Sequence, residues 1–97
     1  MHYNFEWDPT KAKANKVKHK VSFELSATVF KDPRALSIYD HEHSRDEDRW
    51  ITLGLASNGS LLVVRHTFNH INGDIVAIRI ISSRKATRKE KKQYTEL

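Results

Sequence analysis

The chain has 97 residues, 38% hydrophobic and 30% charged, enough for one domain with a single core and too short for two. It has no cysteine, which excludes disulfides, thiolate metal sites and cysteine nucleophiles, and no apolar leader or run near the roughly 20 residues of a membrane span. A formal net charge of +5 and a pI of about 9.6 point to a polyanionic partner, either nucleic acid or an acidic protein, and a cytoplasmic setting is expected.

Residues 3–7, YNFEW, alternate aromatic and polar side chains and predict a short strand. Asp8 and Pro9 then supply an N-cap and a first helical residue whose missing N–H costs nothing. Ala14, Val17 and Val21 form a narrow apolar stripe at helical spacing, flanked by Lys11, Lys13, Lys16, Lys18 and Lys20. Those lysines read either as stems lying over the core edge or as contacts to a nucleic acid or an acidic partner. Ser22 caps a second short helix with Phe23, Ala27 and Phe30 on its inner face, closed by Asp32-Pro33.

Residues 35–39 predict a strand, followed by the most polar loop in the chain, DHEHSRDEDR at 40–49. Residues 50–56 and 61–68 are strand-like and joined by Asn58-Gly59, a strong hairpin signal; Asn72-Gly73 turns the chain into a last strand, IVAIRII. That strand is expected to stop at Ser82-Ser83, either of which can cap a helix opening with Arg84 and Lys85. Cations in a first helical turn oppose the helix dipole, so the segment reads either as a phosphate site at a helix N-terminus or as a solvated basic tail. The predicted fold is α+β: two N-terminal helices packed on a mostly antiparallel sheet of about five strands, with a C-terminal helix, in a single domain spanning 1–97.

Strand parity suggests that Leu36, Ile38, Ile51, Leu53, Leu55, Leu62, Val64, Val76, Ile78 and Ile80 share the covered face. Ser37, Tyr39, Thr52, Arg65, Thr67 and Arg79 would then face solvent, as a surface for single-stranded RNA. A bulge or one-residue slip would bring His66 to that surface instead.

The spacing of His41 and His43 matches no common zinc pattern, there is no Gly-rich phosphate loop, and no serine sits on a strand-to-helix elbow. Neither metal nor cofactor is expected. What remains is acid–base chemistry on RNA, in which the 2′-hydroxyl attacks its own phosphate. Glu47, His43 or His66 would move the proton, and Arg49, Arg65, Arg79 and Arg84 would hold the phosphate.

FEWDP at 5–9, Asn15 with Lys18-His19, VSFELSATVFKDP at 21–33, HSRDEDRWITLG at 43–54 and IRIISSRKATRKE at 78–90 together resemble the BrnT family of type II toxins, similar in fold to RelE-type ribonucleases. Ser83 stands where that family often has alanine, and Lys20 where it often has glycine. The resemblance implies a ribonuclease that arrests translation and is neutralised by a BrnA-like ribbon-helix-helix antitoxin in a 2:2 complex, with operator DNA reached only through the antitoxin and no membrane involved. The positions matching motif residues are His43, Glu47, Arg49, His66, Arg79, Arg84 and Arg88; the expected catalytic set is the first six, with Lys18, Arg65, Lys85 and Arg88 binding RNA. The rival reading is a non-catalytic RNA-binding or complex-assembly module using the same arginines for affinity alone.

Overall fold

A computed structural model describes residues 2–96. The elements run β1 (His2–Glu6), α1 (Pro9–His19), α2 (Phe23–Ala27) continued by a 3-10 turn (Thr28–Lys31), β2 (Leu36–Tyr39), β3 (Trp50–Leu55), β4 (Leu61–His66), β5 (Asn69–His70), β6 (Ile75–Lys85) and α3 (Arg88–Thr95). Sheet order is β1-β6-β4-β3-β2, with the two-residue β5 also pairing β6. The α+β class stands, with six strands where about five were expected. The three pairings from β2 through β4 to β6 are antiparallel, whereas β1 lies parallel to β6 with Phe5 opposite Ile78.

Local chemistry sets the N-terminal helices. Asp8 Oδ1 accepts from the Thr10 and Lys11 amides at 2.8 and 3.4 Å, and Ser22 Oγ accepts from the Leu25 amide at 3.1 Å. α1 ends at Lys20, whose φ of 61° and ψ of 28° are left-handed, a conformation that suits glycine.

Asn15, buried on α1, ties that helix to the sheet. Its amide donates to the Ser83 carbonyl (2.9 Å) and the Val21 carbonyl (3.0 Å), and its Oδ1 accepts from the Ser83 amide (3.1 Å). β1 pairs only with Ile75 to Arg79, so Asn15 supplies the polar partners that no strand gives the same edge of β6 at Ser83. The main core lies between this face of the sheet and α1 and α2, and includes Val21, Phe23, Val29, Leu62, Val64, Val76, Ile78 and Ile80. A smaller cluster of Leu53, Val63 and Ala86 lies on the other face, where Leu36, Ile51 and Tyr94 of α3 pack against it.

Two expectations are corrected. The last strand does not stop at Ser82-Ser83: residues 82–85 pair with Arg65, Val64, Val63 and Leu62, and the helix starts three residues past Lys85. Arg84 and Lys85 are therefore strand residues, and the phosphate site at a helix N-terminus formed by Ser82, Ser83, Arg84 and Lys85 does not exist. Thr87 caps α3 instead, in a reciprocal capping box with Glu90. The assignment of sheet faces is corrected as well. Register places Thr52 opposite Val64 and Trp50 opposite His66, so Thr52 and His66 belong to the helix-covered face. Leu36, Ile51 and Leu53 fall on the face with Val63 and Arg65. A bulge between Arg65 and His66 on one strand, with Ile81 as the extra residue on the other, shifts the parity of β6.

Candidate active site

The polar loop at 40–49 is closed at its base, where the Asp40 amide donates to the Arg49 carbonyl (2.9 Å) and the Arg49 amide donates to Ser44 Oγ (2.9 Å). This closure carries Glu47 over the face of the sheet opposite α1. There Glu47 Oε1 accepts from Arg49 Nε and Nη2, at 3.4 and 3.3 Å, and from Nη2 of Arg79 on the neighbouring part of β6. The hydrogen bond and charge of Arg79, then those of Arg49, outweigh burial and hold the Glu47 carboxyl below its ordinary range. Glu47 is thus an ionised carboxylate between two guanidinium groups, each of the three side chains about one-third exposed.

Beside it, Asp40 is buried and accepts from His43 Nδ1 at 2.9 Å. Burial pushes the Asp40 carboxyl up, but the bond to His43, the charge of that ring and the charge of Arg65 more than reverse this. The pairing fixes the orientation of the His43 imidazole. Arg65 links this region to a second one. With Lys18 and His19 at the end of α1, and with Ser82, Ser83 and Arg84 of β6, it lines a cleft of about 280 Å³. Arg84 is held there by a bidentate pair with Glu90 (2.8 and 3.0 Å), which keeps the Glu90 carboxyl down at about 2. Ser83 Oγ is buried with no hydrogen-bond partner among the described residues.

The expected residues are therefore only partly gathered. Glu47, Arg49 and Arg79 touch one another, while His43 is paired with Asp40, on which the charge of Arg65 also acts. Arg84 and Lys18 share the adjoining cleft with Arg65. Lys85 lines a separate cleft of about 550 Å³ next to Tyr94, and Arg88 is an exposed first residue of α3. His66 lies on the helix-covered side, 2% exposed, with Nε2 2.6 Å from Thr52 Oγ1 and Nδ1 2.9 Å from the Thr67 carbonyl. Burial depresses its basicity more than the Thr67 bond restores it, so the ring is neutral.

Sequence reasoning gave Asp40 and Glu90 no role, although Asp40 orients His43 and Glu90 engages Arg84. The i, i+3 spacing of Asp40 to His43 and the Thr87-x-x-Glu90 capping pattern are the signals that would have found them. His41 sits edge-on to Tyr39 at 4.8 Å, and among the described residues no three His, Asp or Glu side chains form a metal-holding group. No helix there is long and apolar enough to cross a membrane.

No curated protein matches the sequence. Among solved structures, the 1.1 Å crystal structure of the Brucella abortus ribonuclease toxin BrnT is similar in fold, with a TM-score of 0.57 and 20% identity, over 91% of this chain and all of that one. A family model, the ribonuclease toxin BrnT of type II toxin-antitoxin systems, matches residues 7–90. Matched over most of its length, the chain belongs to the BrnT family of ribonuclease toxins of type II toxin-antitoxin systems.

Proposed function

We propose that this toxin cleaves RNA by metal-independent acid–base chemistry at the Glu47, Arg49 and Arg79 cluster. The observation that carries the reading is the carboxylate clasped by two arginines on an open sheet face, with Arg65, Arg84 and Lys18 continuing the positive surface. Cleavage needs a base for the 2′-hydroxyl, cations for charge growing on the phosphoryl oxygens, and an acid for the 5′-oxygen. Glu47, already ionised, takes the proton. Arg49 and Arg79 exchange the carboxylate for the phosphate as the bond order changes. His43, with Nδ1 turned to Asp40, has Nε2 to protonate the leaving oxygen. Arg65, Arg84 and Lys18 hold flanking phosphates, with Lys85 and Arg88 as outer contacts. His66, buried on the other side, acts through the positions of its neighbours.

Cleavage in the cytoplasm halts translation, and a BrnA-like ribbon-helix-helix antitoxin, assembled 2:2, masks the basic face and carries the complex to operator DNA. The net charge of +5 supports a polyanion or an acidic segment on this surface. The test is incubation of purified protein with total RNA, with and without excess chelator. Fragments in both samples are expected, and expression without a partner should arrest growth in a way that Arg79→Ala relieves. Salt-sensitive binding of intact RNA with no fragments would instead establish the non-catalytic module. Fragments that vanish with chelator would remove the metal-free mechanism.

A further inference from the structure

Back to back with the arginine cluster, across the same end of the sheet, is a cavity of about 330 Å³. Tyr3, Phe30, Trp50 and Phe68 supply its aromatic walls; Asp32, Ser37, Thr52 and His66 supply its polar side. Its volume is at the lower end for small-molecule sites, and mostly aromatic walls with a few placed polar groups are what a planar heterocycle needs. Phe30 stands edge-on to His66 at 4.7 Å, and Tyr3 edge-on to Phe30 at 6.2 Å, so the walls brace one another.

The hydrogen-bond polarity of the cavity can be derived. The Thr67 carbonyl only accepts, so His66 Nδ1 carries the proton that meets it. In the neutral ring Nε2 is then a lone pair, and the Thr52 hydroxyl must donate to it across 2.6 Å. With its own proton committed, Thr52 Oγ1 accepts from Ser37 Oγ at 2.7 Å. Ser37, exposed at the rim, therefore offers the cavity lone pairs and no proton. Asp32 is the other polar group on that wall. Burial raises its carboxyl, but hydrogen bonds from Tyr94 and from the Leu55 and Arg34 amides outweigh this and keep it anionic. This polar wall accepts and does not donate; the donors of the lining, the Trp50 indole N–H and the Tyr3 hydroxyl, belong to the aromatic walls.

From this polarity and these aromatic walls we infer that the cavity is a nucleobase subsite selective for bases carrying an exocyclic amino group, such as cytosine or adenine, and against uracil. The inference deepens the ribonuclease reading and rests on it for the source of the base. An amino group brings two N–H donors to a wall of acceptors, whereas uracil has only its N3–H to donate and would set the flanking O4 and O2 lone pairs against them. Consecutive residues connect the two sites: Arg49 turns to Glu47 while Trp50 walls the cavity, and Thr67 Oγ1 accepts from the Arg79 amide (3.1 Å) beside Phe68. A strand with a phosphate on the arginines can thus turn one base around the sheet end.

The test uses the full chain and neutral nucleosides, which need no phosphate contact, with NMR of the His66 ring nitrogens and the Trp50 indole as readout. Cytidine and adenosine should shift these signals saturably, and uridine should bind at least about tenfold more weakly, the effect of one or two kcal/mol of mismatched polar contact. Ser37→Ala, at an exposed position, should reduce that ratio several-fold. Thr52→Val, which releases the Ser37 proton, should improve uridine binding if it folds. Equal shifts from cytidine and uridine, or none from any nucleoside, would overturn the inference even if RNA is cut. Selective nucleoside binding without RNA cleavage would support the cavity while removing the ribonuclease reading.

Discussion

Replacing Glu47 with glutamine separates a base from a counter-ion. The substitution keeps the shape of the side chain and its ability to accept hydrogen bonds, but removes the negative charge that Arg49 and Arg79 both contact. If Glu47 takes the 2′-hydroxyl proton, single-turnover cleavage should fall about 10²- to 10⁴-fold, equivalent to roughly 2.7 to 5.4 kcal/mol of transition-state stabilisation. RNA affinity should move in the opposite direction. The Glu47 pairs involve side chains 32 to 40% exposed, so solvent screens them, and each is worth about 0.2 to 1 kcal/mol. Freeing both arginines, up to about 2 kcal/mol together, should then tighten binding of a 2′-deoxy analogue by up to about thirtyfold and steepen the salt dependence by roughly 0.7 per added phosphate contact. The assay pairs rapid-quench cleavage of a labelled RNA under excess enzyme with titration of the uncleavable analogue. A Glu47→Gln protein that cuts within threefold of the parent rate would refute the role of base and leave Glu47 as the resting partner of two arginines.

Three further outcomes follow from the packing. Lys20→Gly should raise stability by about 1 kcal/mol in urea unfolding, because a left-handed φ of 61° is costly for a side-chain-bearing residue; a loss would show that the lysine stem contributes more than its backbone costs. Ser83→Ala should be neutral to stabilising by roughly 1 kcal/mol, since it removes a buried hydroxyl with no partner; a loss above that size would mean the hydroxyl is hydrogen-bonded in solution. For pH, Glu90 has its folded carboxyl lowered from an ordinary 4.5 to about 2. The contribution of the Arg84 pair is thus complete above pH 4.5 and disappears as pH falls toward 2. The α3 resonances of the folded protein should hold constant down to about pH 3 and shift as pH falls toward 2, while unfolding stability begins to fall below about pH 4.5, and Glu90→Gln should abolish both changes; identical changes in the variant would assign them to another group.

The elements governed by local rules were legible in the sequence. Asp8-Pro9, Ser22 and Asn58-Gly59 act through backbone groups two or three residues away, so their effects needed no knowledge of the fold. The boundary between β6 and α3 was not legible, because Ser82 to Lys85 are held in a strand by partners some twenty residues earlier, Leu62 to Arg65. Two serines with cap chemistry lost to that pairing, while the true cap, Thr87, announced itself through Glu90. The faces of the sheet were unreadable for a related reason. Parity within β3 and β4 is visible, but their mutual register and the bulge at Ile81 are set by the hairpin and by β6. Residue types at the candidate site were proposed from chemistry, and the structure joins Arg49 and Arg79 as a pair on Glu47. The division of that pair from Arg84, with Arg65 between, depended on strand order, as did the removal of His66 to the far side.

One small feature bears on how such a chain survives when it is produced alone. An uncovered strand edge invites the same edge of another copy, and fibrous or amorphous aggregates grow from such unions. The amide of Asn15 occupies the contact point at Ser83 with one donor and one acceptor already in place, leaving a neighbouring copy nothing to grip there. A single polar side chain inside the first helix thereby doubles as a guard on colloidal behaviour.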